Sequence, residues 1–145
     1  MFVRNIVDTK TIRNVITIKP TDSVTAAAEL LAKHRIGAVV VSRDGSTVDG
    51  ILSERDIVRS LGLTGIECMN KQVQDLMTAT VVGCKLDETA DSILERMTEG
   101  RFRHMPVIDD NRMVGVISIG DVVKARISEI QQENSALTGM IANTW

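Results

Sequence analysis

Gly50-Ile51-Leu52-Ser53-Glu54-Arg55-Asp56 returns 65 residues further on as Gly115-Val116-Ile117-Ser118-Ile119-Gly120-Asp121. In each copy a glycine leads into β-prone apolar residues, a serine then opens a helix, and an aspartate stands three positions beyond the serine. The chain therefore contains the same strand-to-helix corner twice.

Outward from the two corners the correspondence extends over most of the sequence. Val15-Ile16-Thr17-Ile18-Lys19 matches Val81-Val82-Gly83-Cys84-Lys85 at an offset of 66, and each reads as a short strand. Thr21-Asp22-Ser23 and Asp87-Glu88-Thr89 follow, with side-chain oxygens able to accept the unpaired amides of a helix start. Helices are expected after both, since Val24, Ala27, Ala28 and Leu31 stand at i, i+3, i+4, i+7 and Ala90, Ile93, Leu94 and Met97 repeat that spacing. The apolar runs Ala38-Val39-Val40-Val41 and Met105-Pro106-Val107-Ile108 suit strands covered on both faces. Arg43-Asp44-Gly45-Ser46 and Asp109-Asp110-Asn111-Arg112 read as hairpin turns, and one extra residue in the first loop reduces the offset to 65.

The last helix of the first repeat carries Ile57, Val58 and Leu61 and is expected to stop at Gly62, a suitable left-handed cap. Residues 1–62 then form repeat 1, 63–72 a linker and 73–130 repeat 2, which Val73-Gln74-Asp75-Leu76-Met77 enters as a short helix. Residues 131–145 prolong the final helix. Each repeat runs strand, helix, strand, hairpin, strand, helix, and neither has enough residues to cover its own sheet. The expected fold is α+β, two pseudo-symmetric β-α-β-β-α repeats packed sheet to sheet about a two-fold axis. In the long last helix Val123, Ile127, Ile130, Asn134, Leu137 and Ile141 alternate spacings of four and three, as in a coiled-coil seam with one polar position. That seam fits self-association, or packing of the helix back onto its own domain.

Composition narrows the function. The chain has 145 residues, 43% of them hydrophobic, enough for a core shared by two half-sized repeats. With 17 basic and 19 acidic residues in no long runs, neither a nucleic-acid groove nor a polybasic membrane anchor is indicated. Phe2, Phe102 and Trp145 are the only aromatic residues, too few to stack bases. No stretch has the length of a membrane span and the N-terminus lacks a signal-like apolar core, so a cytoplasmic protein is expected. Cys68 and Cys84 are the only cysteines, and neither a disulfide framework nor a zinc site is expected.

The duplicated G-x-x-S-x-x-D carries two readings. Ser53 and Ser118 are good N-caps, with an acid three residues on favoured by the positive helix end. Alternatively each aspartate, held at a helix start beside a glycine-opened cleft, accepts hydrogen bonds from a vicinal diol such as the 2′ and 3′ hydroxyls of ribose. The spacing by itself favours the cap.

The element order, the Arg35-Ile36-Gly37-Ala38-Val39-Val40-Val41 run, the Gly50–Asp56 corner, and Arg103-His104-Met105-Pro106-Val107-Ile108 followed by Gly115–Asp121 resemble a tandem cystathionine-β-synthase (CBS) pair, or Bateman module. The resemblance covers nearly the whole chain. It implies a non-catalytic regulatory module binding adenosine-containing ligands (AMP, ADP, ATP or NAD(H), with S-adenosylmethionine ranked below them) in two clefts between the repeats. Carried over by position, it sets Asp56, Ser53 and Arg55 opposite Thr78, Thr80, Val82, Phe102, Arg103, His104, Met105 and Pro106. It sets Asp121 and Ser118 opposite Ile16, Arg35, Ile36, Gly37 and Ala38. A homodimer and a separate regulated polypeptide are the implied partners.

The two clefts differ in cations. Arg55 and Arg103, with His104 and Arg101 nearby, surround Asp56, whereas Gly120 replaces Arg55 beside Asp121 and Arg35 is the main cation there. The Asp56 cleft is therefore expected to prefer the more phosphorylated or larger ligand, and the Asp121 cleft a less charged one or none. An enzyme is not expected: Ser53 and Ser118 have no neighbouring histidine, His34 and His104 lack metal-ligand spacing, and no G-x-G-x-x-G or G-x-x-x-x-G-K-[ST] occurs. Glu54, Asp56, Asp87 and Glu88 read as helix-start acids rather than catalytic carboxylates. The alternative to a sensor is an interaction module with vestigial clefts that acts through homodimerisation.

Overall fold

A computed structural model describes residues 1–9 and 15–143, so Trp145 lies outside the described residues, as does the side chain of Ile141. In chain order the elements are α1 (Val3–Thr9), β1 (Thr17–Ile18), α2 (Val24–His34), β2 (Ala38–Val41), β3 (Gly50–Ser53), α3 (Glu54–Thr64), a 3₁₀ turn (Ile66–Asn70), α4 (Val73–Leu76), α5 (Ala90–Gly100), β4 (His104–Asp109), β5 (Arg112–Ser118) and α6 (Ile119–Asn143). The α+β fold with two repeats is as expected.

Register carries the internal symmetry. β2 and β3 pair antiparallel from Ala38↔Ser53 to Val41↔Gly50, and β4 and β5 pair from His104↔Ser118 to Val107↔Gly115 before a bulge between Val107 and Ile108. Both corner serines thus stand opposite the first residue of the preceding strand. β1 runs parallel to β2 with Ile18 opposite Val41, but its counterpart in repeat 2 is a single bridge between Cys84 and Val107. Residues 81–85 therefore do not form the expected strand. Gly83 replaces the β-branched Thr17 there, and a glycine inside a strand weakens it by loss of backbone entropy and of side-chain packing.

The caps follow the sequence closely. Ser23 Oγ accepts the Ala26 amide at 3.0 Å and Thr89 Oγ1 the Ser92 amide at 3.2 Å. Val24, Ala27 and Leu31 on α2, and Ala90, Ile93 and Met97 on α5, form the buried helix faces. At the other end of repeat 1, α3 does not stop at Gly62 but continues to Thr64, with Gly65 as its closing residue at φ 78°. The 63–72 stretch is consequently structured, its 3₁₀ turn burying Cys68.

Two cores exchange their entry helices. Val73 of α4 is buried with Ile18, Val24, Leu31, Val39 and Leu52 of repeat 1, while Val3 and Ile6 of α1 are buried with Ile93, Met97, Met105 and Ile117 of repeat 2. Backbone bonds fix both crossings in parallel fashion: Val73 N–H donates to Asp22 O (2.8 Å) and Val24 N–H to Lys71 O (2.9 Å), and Val3 N–H donates to Glu88 O (2.9 Å) and Ala90 N–H to Met1 O (2.9 Å). The short helix placed by sequence at the entry to repeat 2 thus serves the core of repeat 1.

Candidate functional site

Each corner is locked by a reciprocal capping arrangement. Asp56 Oδ2 accepts the Ser53 amide at 2.9 Å and the Ser53 hydroxyl at 3.0 Å, and Ser53 Oγ accepts the Asp56 amide at 3.3 Å. Asp121 Oδ2 accepts the Ser118 amide at 2.8 Å, and Ser118 Oγ accepts the Asp121 amide at 3.1 Å. The first helical amides tie each corner to the segment before the paired strand, Glu54 N–H to Gly37 O at 2.9 Å and Ile119 N–H to Arg103 O at 2.8 Å. The capping reading is therefore fulfilled at both sites. It does not exhaust them, because both aspartates and both serines are only half-buried and line cavities.

One cavity, of about 490 Å³, lies at Asp56, with Ser53, Arg55, Thr78, Thr80, Val82, Phe102, Arg103 and His104 in its wall. Met105 and Pro106, expected there as well, are instead buried: Met105 belongs to the core of repeat 2 and Pro106 gives its carbonyl to the Cys84 amide at 2.9 Å. Strand alternation turns Met105 away from the His104 side into the core, while Pro106, on the His104 side, is covered because both faces of β4 are buried at this point. Arg59, Arg101 and Gly100 also line the wall. A methyl group on Gly100 would stand 2.2 Å from Phe102 Cε1, so the bare backbone lets the ring lie against the end of α5.

The other cavity, of about 660 Å³, is lined by Asp121, Ser118, Ile16, Arg35, Ile36, Gly37 and Ala38, as carried over by position. It also includes Ile6 and Val7 of α1, and Lys124 and Ala125 of α6. Lys124, one turn beyond Asp121 on α6, adds a cation that the sequence reading did not count. The helical spacing of three residues between them was the available signal.

Size and charge separate between the two cavities. The Asp56 cleft, expected to prefer the more phosphorylated or larger ligand, is the smaller of the two and the more cationic, with Arg55, Arg59, Arg101 and Arg103 against Glu54 and Asp56. The equivalent corner glycines are also packed differently. A methyl on Gly50 would meet Met77 Sδ at 2.6 Å, whereas one on the equivalent Gly115 would meet only Val7 Cγ1 at 3.5 Å. Gly37 and His104 line both cavities, so a single glycine and an imidazole form the shared wall.

The remaining polar groups do not form a catalytic set. Burial pushes the Cys84 thiol up to about 12, with Glu88 adding to the shift and Arg96 opposing it, so the sulfur stays protonated and unreactive. Backbone amides of Thr47 and Ser46 hold the Asp44 carboxyl well below the usual carboxylate range, in a hairpin loop away from both cavities. Among the described residues no cluster of three His, Cys, Asp or Glu side chains is placed to hold a metal ion, and no helix is long and apolar enough to cross a membrane.

Comparison with known proteins adds an independent line. The model of the CBS domain family matches residues 3–63 and 73–128. The mitochondrial CBS domain-containing protein CBSX3 of Arabidopsis thaliana is 34% identical over 124 residues, which cover 83% of this chain and 60% of that protein, so the chain spans less than two thirds of this relative. The crystal structure of the CBS-domain containing protein ATU1752 from Agrobacterium tumefaciens superposes with a TM-score of 0.83 at 44% identity, covering 87% of this chain and 99% of that one. The CBS domain pair of protein MJ0100, solved in complex with 5′-methylthioadenosine and S-adenosyl-L-methionine, is 25% identical with a TM-score of 0.77 and covers 89% of this chain and 98% of that one.

Proposed function

Because the chain belongs to the CBS-domain family, we propose that it is a ligand-sensing regulatory module whose two clefts bind adenosine-containing molecules, with ribose hydroxyls donating to Asp56 in one and Asp121 in the other. The observation that carries this reading is the same reciprocal Ser-Asp cap at the wall of a cavity in both repeats. A carboxylate fixed by its own helix terminus is already oriented for hydroxyl donors and loses little freedom on binding. The MJ0100 pair, solved with two adenosyl compounds, supports the ligand class.

Charge and volume then divide the ligands. Four arginines favour a phosphate-bearing partner such as AMP, ADP, ATP or NAD(H) at Asp56, because guanidinium forks match phosphate oxygens. The larger Asp121 cavity, with the apolar Ile6, Val7, Val114 and Ala125 in its wall, suits a less charged adenosyl ligand, S-adenosylmethionine included. Binding between two repeats changes how they close and so alters the surface offered to a partner.

Titration calorimetry with AMP, ADP, ATP, NAD(H) and S-adenosylmethionine tests the assignment. Asp56→Ala is expected to abolish the phosphorylated-ligand event and Asp121→Ala the other. Equal losses in both variants would remove the asymmetry. No binding of any of the five would leave the second reading, an interaction module acting through homodimerisation, which the exposed apolar row on α6 favours.

A further inference from the structure

Four non-glycine residues among the described ones have a left-handed backbone: Arg35 (φ 53°), Arg101 (φ 57°), Asp110 (φ 50°) and Asn111 (φ 61°). The last two form the β4–β5 turn and are residue types that tolerate this region. The arginines are a different case. Each closes a helix, α2 or α5, at the position where glycine is the usual occupant because it has no Cβ to crowd the following carbonyl. They are 66 residues apart, the offset that relates the repeats, and each lines a different cavity, Arg35 that of Asp121 and Arg101 that of Asp56.

Repeat 2 sharpens the point. Gly100 immediately precedes Arg101 yet lies in the helix, where the Phe102 ring excludes any side chain, and the left-handed position goes to the arginine. The chain therefore holds a charged side chain in a strained conformation twice, at symmetry-related places, where glycine would relieve the strain. Among the described residues no side-chain hydrogen bond or ion pair engages either guanidinium, so no polar contact there offsets the strain.

We infer that Arg35 and Arg101 are the paired anion-recognition residues of the two clefts, one for each, kept in a left-handed backbone so that a guanidinium enters the cavity from the helix end opposite the aspartate corner. This rests on the proposed adenosine-ligand reading and deepens it: the Asp121 cleft as well as the Asp56 cleft has a dedicated point for a ligand phosphate or carboxylate.

The test separates strain from charge. Binding of AMP and adenosine, and of S-adenosylmethionine and 5′-methylthioadenosine, is measured by calorimetry, and the ligand-free melting temperature by calorimetric scanning, for the wild type and for the Gly and Ala variants at positions 35 and 101. Glycine relieves the strain and removes the charge, whereas alanine removes the charge alone. The Gly variants are expected to melt about 3 °C higher, and the Ala variants not to gain. S-adenosylmethionine affinity is expected to fall about tenfold in both Arg35 variants through loss of its carboxylate contact, and AMP affinity to fall less in both Arg101 variants, where three further arginines share the wall, with 5′-methylthioadenosine and adenosine affinities unchanged. Unchanged AMP-to-adenosine and S-adenosylmethionine-to-methylthioadenosine ratios in all four variants overturn this inference and leave the ligand reading standing. Failure of the wild type to bind any of the four compounds overturns both.

Discussion

At Asp56 one oxygen serves the fold, for Oδ2 accepts both the amide and the hydroxyl of Ser53, while Oδ1 accepts no hydrogen bond among the described residues. Asp56→Ala removes both roles together, so stability should fall by about 1 kcal/mol, the usual cost of a lost cap, and ligand affinity by tenfold or more. Thr89→Ala supplies the control. It removes the cap of α5, and Thr89 lines neither cavity, so melting should drop to a similar extent with binding intact. Equal affinities for wild type and Asp56→Ala in calorimetry would reduce the aspartate to a helix cap. A second expectation concerns the buried thiols Cys68 and Cys84. Ellman's reagent at pH 8 should modify neither in the native protein and both after denaturation. Because the Cys84 thiol holds its proton up to about 12 when folded but releases it near 8.5 when unfolded, stability should decline as pH rises from about 8.5 toward 12. A flat alkaline stability profile would show the sulfur to be less buried than it is here.

Two glycines show how the surroundings of an element decide its energetics. Gly62 lies inside α3 with open space where a side chain would go, so Gly62→Ala should stabilise by about 0.8 kcal/mol through helix propensity. Gly50 opens β3 against Met77 Sδ and the Thr78 carbonyl, the latter 2.9 Å from where a methyl group would stand, and Thr78 is bonded to Ile51 in both directions. Gly50→Ala should therefore destabilise by about 1–3 kcal/mol. Thermal melts check the pair, and effects of the same sign would contradict this packing. Gly62 also marks a limit of reading the chain as letters. A glycine after an amphipathic turn signals a helix end, but here it stays right-handed and the helix closes three residues later, because stopping is decided by backbone conformation and not by composition. The corners, the caps and the helix faces were legible, since each depends on residues within one turn of one another. The exchange of α1 and α4 between cores was not, since Val3 and Val73 look alike to any local pattern. Arg59 likewise entered the wall of the Asp56 cavity without being read from the sequence.

The exchanged entry helices make the two repeats one unit, and that unit has a single long projection. α6 buries Val122 and Ala125 against repeat 2, then continues through residues 131–140, every one exposed. Its other face carries Val123, Ile127, Ile130 and Leu137, of which Ile127 is 51% and Leu137 57% exposed, so the helix does not fold back onto its own domain. An unsupported helical end of this length is marginal in water, and a row of aliphatic side chains at alternating spacings of three and four is covered at low cost by the same row on a second copy. Asn134 would then meet its equivalent in the seam, where a polar pair fixes register at some expense of stability. The expected outcome is a dimer in size-exclusion chromatography with light scattering. Leu137→Glu should shift it to monomer by placing a charge in an apolar seam, whereas Gln132→Glu, on the opposite face of the helix, should leave it dimeric. A wild-type protein that stays monomeric at high micromolar concentration would assign the stripe to a different partner, and the module would then sense its ligand as a single pair of repeats.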